Sequence, residues 1–318
     1  MRTVLITGAE GFAGSHVLAH LRSRGYEAVA GVRNRARKLA LERQNMRALV
    51  CDVTDAINVA RVVAGVRPEG IIHLAGIARP ADAADEPLLA YQSIVTAWAN
   101  ILDAVRRTVP RAHIVLASAC DVYGDAGADG AALSETRAPQ PVSTFGSLKR
   151  TAENIAHTFY RDYHLNITIA RPFHYLGRGQ PARFFFGAVA QQLASWDGSG
   201  GRALALPDLS CQRDLLHVED VATGYVRLLE DGRPNEVYNI CSGQTYTCRQ
   251  IVEAIVTEYH LQVELRELAA EADGQIKVLR GDNRKLREEL NWVPAHSVQD
   301  AVRDLVASYR ASEVSVAR

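Results

Sequence analysis

Continuously apolar, often β-branched runs alternate along the first half of the chain with segments of helical periodicity. Strand-like runs fall at residues 3–7, 27–32, 48–51, 70–75, 113–117 and 166–170. Helical patterns fall near 13–24, 55–64, 88–107 and 147–163. Strands alternating with helices predict βαβ units and a parallel sheet. The runs do not alternate polar with apolar, as expected of strands covered on both faces. The rhythm breaks after Pro172. Residues 173–215 read as irregular, interrupted by Gly177, Gly179, Pro181, Gly198, Gly200, Gly201 and Pro207. A helix returns at 218–230 and a strand at 237–240, and further helices fit 249–259, 283–290 and 298–310. This predicts a first domain of residues 1–172, to which 217–241 return, and a smaller lobe of 173–216 and 242–318. The tail, 312–318, is expected to fray.

Gly8, Gly11 and Gly14 stand at GxxGxxG spacing directly after the first strand and open the first helix. Glycine allows the tight turn and a close approach of backbone to phosphate. The helix N-terminus offers N–H groups and a positive dipole end to a pyrophosphate. In this context the triplet predicts a dinucleotide site. The fold class is therefore α/β, a doubly wound parallel Rossmann sheet with a smaller α/β C-terminal substrate lobe. After the second strand the chain reads Arg33, Asn34, Arg35, with no carboxylate. An acid there would bond a ribose 2′-OH, whereas guanidinium groups suit a 2′-phosphate. The expectation is NADP, with NAD as second choice. The alternative is that both arginines are solvated at a basic helix start, beside Arg37, Lys38 and Arg43. Asp52 reads either as an adenine contact or as a loop cap.

Charge narrows the partners. The 318 residues carry 36 Lys+Arg against 36 Asp+Glu, which argues against a nucleic-acid binder and a polybasic membrane anchor. Hydrophobic residues at 47% suffice for a core without disulfides. Cys51, Cys120, Cys211, Cys241 and Cys248 are scattered and form no CxxC pair, so neither zinc nor another metal is expected. They suggest a reducing compartment. The opening residues lack the apolar stretch of a signal peptide, and no apolar run approaches a membrane span. The expected location is the cytoplasm.

The segments TGAEGFAG (7–14), HLAG (73–76), ASACDVYG (117–124), FGSLK (145–149), RPFHYLGRGQ (171–180), QRDLLHVEDVA (212–222), YNICSG (238–243) and NWVP (291–294) cover most of the chain. Together they resemble the extended short-chain dehydrogenase/reductase family, in the branch acting on nucleotide-diphosphate sugars. Arg33 and the GQ and QRDLLHVEDV stretches look most like reductases of GDP-4-keto-6-deoxymannose. The resemblance implies a cofactor held by Gly8, Gly11, Phe12, Gly14, Arg33, Asn34, Asp52, Val53, Leu74, Ala75, Lys149 and Pro172. It implies a nucleotide-diphosphate sugar held by Tyr123, His174, Gln180, Phe184, Arg213 and Arg280, with Arg213 on the diphosphate. It also implies a homodimer built on the helices at 88–107 and 147–163. The second of these carries an apolar stripe at Ile155, Phe159 and Tyr163.

In this family a Tyr-x-x-x-Lys pair and a Ser or Thr carry the chemistry. The lysine binds the nicotinamide ribose and lowers the tyrosine pKa, and the tyrosine exchanges a proton with the sugar while the nicotinamide exchanges hydride. Lys149 matches, but the tyrosine position is Phe145 and the hydroxyl position is Ala119. Neither side chain has a proton to transfer. His174 and Ser93 stand where the family has asparagine, and a late substrate-loop arginine is replaced around Ala272, near Arg280. Three explanations compete: deliberate inactivation, relocated acid/base groups, or a non-catalytic binder of cofactor and nucleotide sugar. Candidates for relocation are Asp121, Cys120, Tyr123 and His174; Cys120 and Asp121 align with the Asp-Glu pair of 4,6-dehydratases in this branch. His174, with a reference pKa near 6.5, reads as a proton shuttle near neutrality or as a hydrogen-bond donor. Cys120 also reads as a small buried hydrophobe, Tyr123 as packing beside the cofactor, and Asp121 as a contact to substrate hydroxyls. His73 reads as a core histidine bonded to backbone.

Overall fold

The structure is a computed structural model that describes residues 2–196, 203–268 and 277–316. The chain opens with β1 (Thr3–Thr7), α1 (Phe12–Ser23), β2 (Glu27–Val32), α2 (Arg35–Glu42), β3 (Ala48–Val50), α3 (Ala56–Val66) and β4 (Gly70–His73). Two short helices, α4 (Pro80–Asp85) and α5 (Pro87–Tyr91), lead through a π turn at Gln92–Thr96 into α6 (Ala97–Thr108). There follow β5 (His113–Ala117), a 3₁₀ turn at Cys120–Val122, α7 (Thr144–Tyr163) and β6 (Asn166–Pro172). Beyond Pro172 come β7 (His174–Leu176), α8 (Phe185–Ala194), β8 (Ala203–Leu206), β9 (Gln212–His217), α9 (Val218–Asp231) and β10 (Val237–Ile240). The chain continues with β11 (Thr245–Thr247), α10 (Cys248–Glu258), β12 (Glu264–Glu267), β13 (Val278–Leu279), α11 (Arg284–Leu290) and α12 (Val298–Val316).

Seven strands form one parallel sheet in the order β10-β6-β5-β4-β1-β2-β3. Side chains alternate across a strand, so a doubly covered strand must be apolar at every position. In β1, Leu5 packs with Ile71, Ile114 and Ile167 under α3, α6 and α7, whereas Val4 and Ile6 pack with Ile72 and Val115 under α1 and α9. The strand order reverses between β1 and β4. A crevice therefore opens there at the carboxyl ends of the strands, where α/β sheets bind ligands. In the smaller lobe, β9 pairs with β7, β11 and β13, and β8 pairs with β12. Phe186, Leu193, Leu204, Ile251, Ile255 and Val302 fill its core.

Residues 173–215 are more ordered than their sequence suggests. They contain β7, α8, β8 and the start of β9. β7 has three residues and β8 four, too few for a period to declare itself, and their pairing partners lie far along the chain. α2 shows no apolar pattern in the sequence, only the basic helix start at Arg33 and Arg35, because none of its residues is buried. α7 starts at Thr144 rather than 147, since the Ser143 side chain caps it at the Gly146 N–H. α12 runs on through Val316, although fraying was expected from 312; residues 317 and 318 lie outside the described residues. So do Gly198, Gly200, Gly201 and Ala272. The helical run Pro87–Thr108 is long and apolar enough to cross a membrane by length and mean hydropathy. Ala97, Trp98, Ile101, Leu102 and Val105 on it are buried in the core. Leu286, Leu290 and Trp292 pack in the same core cluster as Val4, Ile6 and Tyr238 of the large sheet.

Candidate active site

The first turn of α1 forms the floor of the crevice. Gly8 has φ +72°, and a Cβ there would come within 2.8 Å of the Ala75 nitrogen. A Cβ at Gly14 would stand 2.1 Å from the Gly8 carbonyl oxygen. Gly11 precedes the helix and no side chain caps its N–H groups, which suits a pyrophosphate. Phe12 stacks on Tyr175 with ring centroids 5.5 Å apart. The Leu74 N–H donates to the Thr7 carbonyl and the Ala75 N–H to the Thr7 hydroxyl, which fixes the loop after β4. The Val53 carbonyl accepts from Asn100, and Pro172 ends β6.

At the end of β2, Arg33 and Arg35 are exposed and have no ion-pair partner among the described residues. Asn34 caps α2 by accepting from the Arg37 N–H, so that side-chain oxygen is already engaged. Asp52 acts as a loop cap, its Oδ1 accepting from the Thr54 N–H and hydroxyl. Glu10, inside the glycine turn, accepts the Arg33 N–H at 2.9 Å through Oε1. Its Oε2 is buried with no partner. The uncapped helix terminus and this open acceptor, suited to a ribose hydroxyl, fit a dinucleotide.

The candidate catalytic residues gather at the ends of β5 and β6. Lys149 is buried and its Nζ donates to the Ala117 carbonyl at 2.7 Å. Its ammonium lies 5.6 Å from the centre of the Phe145 ring and 5.9 Å from that of Trp98. Burial brings the lysine down to about 8, against the pull of Asp121 and Glu153. Ala119 leads into the Cys120–Val122 turn. α7 sits directly on that turn: a Cβ at Gly146 would be 2.5 Å from the Asp121 carbonyl oxygen. Desolvation raises the Asp121 carboxyl, while the charges of Arg213 and Lys149 hold it down. The Cys120 sulfur lies 3.8 Å from Asp121 Oδ2 and 3.9 Å from His174 Nδ1.

Several expected roles change in this geometry. His174 is no shuttle near neutrality. Dense protein around the imidazole brings it down to about 3, with the Arg213 charge adding to the effect. Cys120 is buried, and desolvation raises its thiol well above the usual range, so it packs as a small hydrophobe. Tyr123 does not face a substrate. It is fully buried, donates to Asn239 Oδ1 at 2.8 Å, and stacks under the Arg171 guanidinium. His73 bonds the Thr7 hydroxyl at 2.6 Å rather than backbone. Gln180 is buried with its amide donated to the Tyr175 carbonyl, leaving Oε1 without a partner. Phe184 precedes α8 under Arg183, whereas Phe186 belongs to the lobe core. Arg213 is half-buried, with Nη1 on the Gln212 carbonyl. Arg280 lines a shallow cavity of about 250 Å³ with Gly243 and Asn283.

The sequence reading overlooked the support beneath this cluster. Arg171 and Glu153 form a buried, two-point pair at 2.8 and 2.7 Å, and Ser118 donates to the same carboxylate. The signal was available: Glu153 lies four residues after Lys149, on the same face of α7. Glu10 and Tyr175 were also overlooked. Glu10 sits inside the glycine turn and Tyr175 directly after His174.

The family model for GDP-mannose 4,6 dehydratase matches residues 5–305. The chain belongs to this family. GDP-6-deoxy-D-mannose reductase of Pseudomonas aeruginosa is 27% identical over 244 residues, spanning 76% of this chain and 80% of that protein. UDP-glucuronate 4-epimerase 1 of Arabidopsis thaliana is 27% identical over 334 residues, spanning 96% of this chain and 76% of that protein. The RMD structure from Pseudomonas aeruginosa, complexed with NADPH, superimposes with a TM-score of 0.86 at 24% identity, covering 98% of this chain and 100% of that one. DesIV, a dTDP-glucose 4,6-dehydratase from Streptomyces venezuelae with NAD and TYD bound, gives 0.87 at 24% identity and 98% of each chain. Relatives of this chain are thus reductases, epimerases and dehydratases of nucleotide sugars.

Proposed function

We propose that this protein is an NADP-dependent oxidoreductase, epimerase or dehydratase of a nucleotide-diphosphate sugar, with Asp121 as its proton carrier. One observation carries the reading: Asp121 lies near enough to Lys149 and Arg213 to feel both charges, with Lys149 anchored on the Ala117 carbonyl at the end of β5. The nicotinamide supplies the hydride chemistry when bound. The α1 terminus holds the pyrophosphate, and Arg33 and Arg35 face the 2′-phosphate. Lys149 orients the nicotinamide ribose. Arg213 grips the diphosphate of the substrate, with Gln180, Phe184 and Arg280 around its nucleotide and His174 donating a hydrogen bond as a neutral imidazole. Asp121 exchanges the proton that Phe145 cannot. Its raised pKa keeps a protonated fraction closer to neutrality than an ordinary carboxyl would.

The test adds nucleotide-diphosphate sugars to the protein with oxidised or reduced NADP and follows cofactor absorbance and product. Turnover is expected, and Asp121→Asn should abolish it while cofactor binding survives. Full activity in that variant would remove Asp121 from the mechanism. No turnover with any sugar would leave a protein that binds without catalysis. Calorimetry tests the cofactor: Arg33→Asp should weaken NADP and spare NAD, and tighter native binding of NAD would reverse the preference. The reading includes a cytoplasmic homodimer. Leu88, Leu89 and Tyr91 on α5 and Tyr163 on α7 are exposed apolar side chains on contacting helices. A monomer mass by light scattering at micromolar concentration would refute the dimer.

A further inference from the structure

Away from the crevice floor, two thiols meet in the smaller lobe. Cys211 lies one residue before β9 and Cys248 opens α10. The antiparallel ladder pairs Gln212 with Thr247, so its next rung sets Cys211 opposite Cys248. The Cys248 N–H donates to the Cys211 carbonyl at 2.9 Å. Opposed residues in such a ladder hold their Cα atoms about 4.5–5.5 Å apart. That is inside the range of about 4.4–6.8 Å that a disulfide spans. Both thiols are free, with sulfurs 2.8 Å apart. Cys211 is partly exposed and Cys248 is buried, so one sulfur can meet an oxidant while the other waits behind it. The hydrogen bond with Cys248 lowers the Cys211 thiol from its ordinary value, and the Arg213 guanidinium adds to the effect. Cys211 and Arg213 are two residues apart, on the same face of the strand.

We propose that Cys211 and Cys248 form a modification site that closes reversibly to a disulfide, and that closure tunes the hold of Arg213 on a diphosphate. The oxidant class is a small disulfide such as oxidised glutathione. The Cys211 thiolate attacks one glutathione sulfur, breaking the S–S bond and releasing a glutathione thiolate. That thiolate takes the Cys248 proton. The Cys248 sulfur then attacks Cys211, forming the protein disulfide and expelling the second glutathione thiolate, which takes a proton from solvent. Two protein thiols are oxidised and one glutathione disulfide is reduced. Closure ties the chain two residues before Arg213 covalently to the start of α10, so the guanidinium is held in place and binds a diphosphate more tightly. This second step rests on the assignment of Arg213 under the proposed function; disulfide formation does not.

Whole protein is treated with oxidised glutathione and followed by intact mass and peptide mapping. A Cys211–Cys248 cross-link is expected, reversed by reduced glutathione. Cys248→Ser and Cys248→Ala should stop at a Cys211–glutathione adduct, and Cys211→Ser should form no adduct at this pair. Retention of all five thiols, or a cross-link between other cysteines, overturns the site. Binding of GDP and UDP is then measured on reduced and oxidised protein, with an expected severalfold tightening on oxidation. Unchanged binding overturns the tuning if Arg213→Ala weakens the same ligand. If Arg213→Ala has no effect, the assignment of Arg213 fails, and the tuning fails with it, while the disulfide stands.

Discussion

Phe145 shows what one side chain can and cannot decide. It retains the packing of an aromatic ring over Lys149 and lacks only the hydroxyl. The proton function should therefore be separable from the binding function. In Asp121→Asn protein, the double change Phe145→Tyr with Ala119→Ser is expected to restore turnover by roughly 10²–10⁴-fold, the usual contribution of a general acid or base. Turnover that stays at the background of the single variant would mean that Lys149 and the new phenol do not couple. Glu10 makes a second point at this scale. Its carboxylate lies against the Arg33 backbone, where it favours a ribose hydroxyl and opposes a 2′-phosphate. Glu10→Gln should raise affinity for NADP relative to NAD severalfold by calorimetry. An unchanged ratio would place the 2′ position away from Glu10.

Among the elements, α7 does the most to assemble the site. Ser143 caps it, Gly146 brings it onto the Asp121 backbone, Lys149 reaches β5, and Glu153 pairs with Arg171 of β6. Removing one member of a buried pair leaves the other charge uncompensated. Glu153→Gln is expected to cost about 3 kcal/mol of stability in urea unfolding. It should also loosen the Ser118–Tyr123 segment, seen as faster amide exchange there. A loss below about 0.5 kcal/mol would show that Arg171 finds another partner, since surface changes are usually within that range. The spacing of Phe145, Lys149 and Glu153 was legible in the sequence as one helix face. Their long-range partners were not, because Ala117 and Arg171 come from other strands.

For the molecule as a whole, three histidines set the acid side of stability. Burial brings His73 and His174 to about 3 and His113 to about 4. In the unfolded chain each returns to about 6.5. Above that pH all three are neutral in both states, and their contribution is complete. As the pH falls from about 6.5 toward 3, the unfolded chain binds protons that the folded chain refuses, and stability is lost. The slope is at most about 1.4 kcal/mol per pH unit for each histidine. Asp214 works the other way below its own value of about 6, as do the raised carboxyls of Asp121 and Glu135. The urea midpoint is expected to fall between pH 7 and pH 5. A flat or rising midpoint would show that the carboxyls outweigh the histidines.

The sequence by itself determined the βαβ order, the glycine turn and the dinucleotide character of the first domain. Those signals are local: an apolar run of five residues and a GxxGxxG turn carry their meaning wherever the chain goes. It also exposed the missing phenol and hydroxyl, because a motif reports its own gaps. Only the tertiary structure decided which polar residues face the crevice. Tyr123 and Cys120 belong to a motif with chemical groups, yet packing turns them into core. His174 has an imidazole of ordinary pKa until surrounding protein and Arg213 remove its charge. Glu10, Glu153 and the Cys211–Cys248 pair acquire their meaning from partners 23, 18 and 37 residues away. Burial, field and long-range pairing are properties of the folded arrangement, and no local pattern encodes them.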